Sequence, residues 1–252
     1  MQTVHETTQE KQSYTHSFFS ALQPCLSGKT IAEKSEIKSL LIELRQLISS
    51  PNDIYKELYM LTIYHFLELC QAMPENLQDV KSQPYSLAKQ HLTLAIAVLK
   101  LRRGQMLPQN SNSETVAEQE PLWTYALFTA SLLYNIQRIQ LDRTVELYKN
   151  ENEKLGIWHP VVGSLYEPHT YYKLSTEAPI LIVNTTQLQT ILLEKIIPAV
   201  GMRWLSGAKD IFQPWFQAIT IPNAEKNMLL ALIQKAANTL QFFPNKIIEE
   251  II

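Results

Sequence analysis

The chain has 252 residues, 46% hydrophobic and 18% charged, which is enough apolar material for one large domain or two small ones and argues against disorder over most of its length. Twenty-two Lys and Arg against 24 Asp and Glu leave no global field to hold a phosphate backbone, so a dedicated nucleic-acid binder is disfavoured. Cys25 and Cys70 are the only cysteines, too few for a zinc site or a disulfide framework, and six glycines leave no room for a P-loop or a dinucleotide fingerprint.

Residues 1–30 open as a polar segment without the basic start and apolar run of a signal peptide. No stretch reaches the ~18 apolar residues of a membrane span, so the expected location is the cytoplasm, with recruitment to the inner membrane only through partners. From Ile31 to Ile48 the apolar positions Ile37, Leu40, Leu41, Leu44, Leu47 and Ile48 recur at three-and-four spacing and predict a helix. Ser50 and Pro51 form the cap and first turn of a second helix, which runs to about Met73, where Pro74 stops it. A third spans about Pro84 to Arg103 and is closed by Gly104. Residues 105–119 are polar and predict an exposed loop, followed near Pro121 by a helix apolar on nearly every side and so destined for the middle of the core.

Beyond it the period changes. Thr144 to Tyr148, a turn-like stretch, then Leu155 to Pro160 and Thr170 to Ser175 predict a small antiparallel β-ribbon near 143–174. Helical patterning resumes at Gln187 and ends in a helix from about Asn223 to Phe243. The expected organisation is therefore a polar segment over 1–30, a helical domain over 31–220 carrying the ribbon, and C-terminal helices over 221–252 packed on the same domain.

The residues that carry chemistry are few. His5 and His16 lie in the polar tail, and His65 has Glu68 three residues on, which is not a two-His metal spacing. His159 and His169 flank the ribbon without carboxylate or cysteine partners in suggestive spacing. Ser164 lacks the flanking glycines of a nucleophile elbow. Lys100, Arg102 and Arg103, and the pair Arg138 and Arg143, read as solvated helix faces before they read as phosphate contacts. Trp204, Trp215 and Phe216 are either core anchors or an aromatic interaction surface.

Several landmarks follow one another in a recognisable frame: Met73-Pro74, then Val80-Lys81, Tyr85-Ser86, Gln90 on a helix, a long loop, and Leu132-Leu133-Tyr134-Asn135-Ile136-Gln137-Arg138. This frame resembles the HD-type domain of the TraI-like (MobH class) relaxases of conjugative elements, and the likeness runs on through Trp158-His159-Pro160, Tyr171-Tyr172 and Ile197 to Leu205. In that family a Leu-Pro start precedes a His pair, a Gly pair, a helical His, and a Leu-Leu-His-Asp-Ile-Gly-Lys helix. The resemblance implies a mainly α fold, an HD-domain-like helical bundle with a small antiparallel β-ribbon insertion. It also implies that the metal ligands have been exchanged, leaving a vestigial pocket of Val80, Lys81, Gln90, Tyr134 and Asn135. Such metals need neutral imidazoles and an ionised carboxylate. Asn135 has the size of Asp without its charge, and an inward Lys81 would repel a dication by roughly 6 kcal/mol at ~5 Å and an effective dielectric of ~20. His91 is one step past Gln90, ~100° round the helix from the ligand direction.

The expectation is thus a pseudoenzyme with no cofactor, no metal and no small-molecule substrate, serving as an adaptor with protein partners in a type IV secretion (Dot/Icm-like) or conjugation coupling complex. The competing expectation is a residual metal-dependent phosphohydrolase or a DNA-binding relaxase fragment.

Overall fold

The computed structural model describes residues 21–74, 85–108, 112–140, 144–175, 184–221 and 227–242. The chain enters through β1 (Gln23–Pro24) and a short helix α1 (Gly28–Ala32), capped by Ser27, whose side chain accepts from the Thr30 N–H. The helix expected over 31–48 is divided: α1 ends at Ala32 and α2 (Ser35–Leu47) starts afresh, burying Ile37, Leu41 and Leu44 on one stripe. The polar N-terminal segment expected over 1–30 thus already contains β1 and the start of α1, with Cys25 in the core.

Helix α3 is continuous from Asn52–Ile54 through a π-helical Tyr55–Met60 to Leu61–Cys70. The wider π-turn itself turns Tyr55, Leu58 and Tyr59 inward, while Ile63, Phe66 and Leu67 face inward after it. Helix α4 (Ser86–Arg102) buries most of its surface and closes with basic residues in its last turn, where they complement the exposed carbonyls.

Helix α5 (Ser113–Leu133) begins two turns before the expected start near Pro121. Asn112 accepts from the Thr115 N–H and sets the true N-terminus. Pro121 lies inside the helix, and beside it Arg102 donates to the Glu120 side chain and backbone carbonyl. From Leu122 to Leu133 every residue is buried, as a central helix requires.

A 3₁₀ turn (Ile136–Gln140) leads to β2 (Thr144–Asn150), β3 (Glu153–Trp158), a second 3₁₀ turn (Pro160–Val162) and β4 (Tyr171–Ser175). All pairings are antiparallel, in the order β1-β4-β2-β3, so the ribbon is extended to four strands by the N-terminal β1, whose two residues alone hold no hydrophobic period to announce it. Val145, Trp158, Leu174 and Tyr172 share the buried face; Glu146, Ile157, Lys173 and Tyr171 share the outer one.

Helices α6 (Thr185–Ile196), α7 (Ala199–Ser206), α8 (Lys209–Thr220) and α9 (Met228–Thr239) complete the bundle. Helix α5 is enclosed by α4, α7, α8 and α9, and α4 is flanked by α2 and α9. Among the described residues no helix is long and apolar enough to cross a membrane. The architecture is mainly helical with one small antiparallel sheet, in agreement with the mainly α composition and the antiparallel insertion expected from the sequence.

Candidate functional site

The predicted pocket divides in two. Val80 and Lys81 lie outside the described residues, whereas Gln90 is on α4 and Tyr134 and Asn135 follow the C-terminus of α5. Asn135 takes a left-handed conformation, φ 56°, which ends α5 and turns the chain into the 3₁₀ segment; a short amide side chain is among the few that tolerate it. Burial pushes the Tyr134 phenol above its ordinary pKa, and a hydrogen bond with Asn135 partly offsets that.

Phe242, just after α9, stands between the two halves. Its ring centroid is 5.1 Å from that of His91 and 6.0 Å from that of Tyr134, and His91 in turn lies 5.5 Å from Phe66. His91 is fully buried in this aromatic column. It is the neighbour of Gln90 that the helical period had turned away from the ligand direction, and its burial against rings is the reason it faces inward. Gln90 Oε1 and Gln137 Oε1 are buried with no hydrogen-bond partner among the described residues. Phe242 carries no sequence signal of this role, because it reaches the site from the far end of the chain through α9, which packs on α4.

A second polar cluster joins residues that looked isolated in sequence. Glu68 on α3 accepts from the Gly28 N–H at 2.8 Å through Oε1 and from the Ser164 hydroxyl at 2.8 Å through Oε2. Gln71, one turn on, accepts from the Leu26 N–H and donates to the Leu26 carbonyl, while the Tyr172 hydroxyl donates to the Gln71 carbonyl. His65 Nδ1 is 3.2 Å from the Ile196 carbonyl. Both Glu68 oxygens are engaged, so the carboxylate acts as a clamp that joins α1, α3 and the loop after β3.

The remaining candidates resolve by burial. Trp215 is fully buried and its indole donates to the Thr129 hydroxyl at 2.9 Å, which makes it a core anchor and removes it from the expected interaction surface. Trp204 is partly buried, its ring 5.7 Å from that of Tyr125. Phe216 is 37% exposed and stacks on Phe212 at 6.0 Å and 19°, so the outward aromatic ridge is Phe216, seated on Phe212, which packs partly against the core. The basic residues of α4 are occupied within the fold: Lys100 pairs with Glu43 at 2.6 Å, Arg102 with Glu120, and Arg103 donates to the Gln46 carbonyl. His159 precedes the second 3₁₀ turn, and His169 has a left-handed backbone, φ 60°. His5, His16 and Arg143 lie outside the described residues. Among the described residues no group of three or more His, Cys, Asp or Glu stands close enough together to hold a metal ion.

The TraI_2 family model, described as "Putative helicase", matches residues 24–240. The chain belongs to this family. The match begins inside β1 and ends just past α9, so it spans the sheet and the last helix of this chain as well as the central bundle. It supports the TraI-like part of the resemblance seen in the sequence. No curated protein matches the chain.

Proposed function

We propose that this TraI_2 member is a non-catalytic protein-binding adaptor derived from an HD-type relaxase domain, which links cargo or subunits to the coupling complex of a type IV secretion or conjugation machine. The observation that supports the reading is the aromatic column: Phe242 packs against His91, the helix neighbour of Gln90, and against Tyr134, one of the positions to which the resemblance assigns a ligand. His91 is the one imidazole in the column, and among the described residues no group of three or more His, Cys, Asp or Glu stands close enough to hold a dication, which needs neutral imidazoles and an ionised carboxylate. Without a metal nothing lowers the pKa of an attacking water, and phosphoester hydrolysis lacks its nucleophile. The link to secretion rests on kinship with relaxases, the substrates that such machines recognise, and is an argument by association.

Phe216 on α8, exposed and stacked on Phe212, is the docking residue we assign to this role. Two measurements test it. Purified protein is expected to carry no stoichiometric iron or manganese and not to hydrolyse a generic phosphodiester with manganese added; bound metal or turnover would overturn the pseudoenzyme reading. The substitution Phe216→Asp should abolish co-purification with the coupling ATPase of the host machine while leaving the unfolding midpoint within a few degrees. Retained binding would remove the ridge from the proposal. The helicase description of the family favours nucleic acid as a second reading, and a salt-sensitive mobility shift with single-stranded DNA would support it.

A further inference from the structure

We draw no further inference here: the strongest candidate, the outer edge of β3 with exposed Leu155 and Ile157, is an unpartnered strand edge with nothing in the structure to show what covers it.

Discussion

Replacing Gly28 with alanine tests how closely α1 is seated on α3. A Cβ at Gly28 would lie 2.2 Å from the Tyr64 carbonyl oxygen and 2.6 Å from the Tyr64 Cα. These are backbone atoms of a helix interior and cannot swing aside as a side chain would. Relief requires α1 to lift by about 1 Å before ordinary van der Waals separation is restored. That lift stretches the 2.8 Å bond from the Gly28 N–H to Glu68 beyond hydrogen-bonding range. Overpacking costs about 1–3 kcal/mol, and losing a hydrogen bond to a charged group about 1.5–3 kcal/mol. The intrinsic helical gain of Ala over Gly returns at most about 1 kcal/mol. The net is a loss of about 2–5 kcal/mol, which lowers the melting temperature by on the order of 5–15 °C for a chain of this size. Urea unfolding followed by circular dichroism reads it directly. Glu68→Ala removes the bond from the Gly28 N–H and the one from the Ser164 hydroxyl without the clash, and should also destabilise. A Gly28→Ala protein with the wild-type midpoint would refute the close seating of α1 and the reasoning built on it.

Thr129→Val removes the acceptor of the buried Trp215 indole without changing shape, and should destabilise by about 1–3 kcal/mol in the same denaturant assay; an unchanged midpoint would mean that the indole has another partner. His91→Ala deletes a fully buried ring from the aromatic column and should cost about 3 kcal/mol, read by calorimetry, whereas a neutral result would show that the column is not packed. Burial raises Tyr55 and Tyr125 from 10.0 to about 12. The folded state therefore holds protons that the unfolded chain releases, so this stability is fully present below pH 10 and is lost as pH rises toward 12, by about 1.4 kcal/mol per pH unit for each group. Tyrosinate absorbance should accordingly rise together with loss of the circular-dichroism signal, and early ionisation of all tyrosines in a folded protein would contradict their burial.

Helical periodicity made the core legible, because Leu41, Leu44, Phe66 and the run from Leu122 to Leu133 must be buried on any arrangement of these helices. What the period could not show was where caps override composition. Asn112 starts α5 in a stretch polar enough to read as loop, and α1 hides in a segment whose helical signal is a single turn. At the site, the resemblance singled out Gln90, Tyr134 and Asn135 position by position, but the contacts of Phe242 with His91 and Tyr134 were not legible, since side-chain contacts across more than a hundred residues leave no local pattern. Trp215 and Phe216 show the same limit at shorter range: neighbours in sequence, they point about 100° apart on α8, and only the packing of α8 on α5 decides which is covered.

The π-turn of α3 has an evolutionary corollary. A single added residue in an α-helix rotates everything after it by about 100°, which would carry Ile63, Phe66 and Leu67 out of the core. Widening one turn confines the surplus residue to Tyr55–Met60 and leaves both flanks in phase. Family members shorter by one residue in this stretch are therefore expected to keep an uninterrupted α-helix with the same two inward faces, and the bulge marks the place where the length of the helix is free to vary by one without disturbing its neighbours.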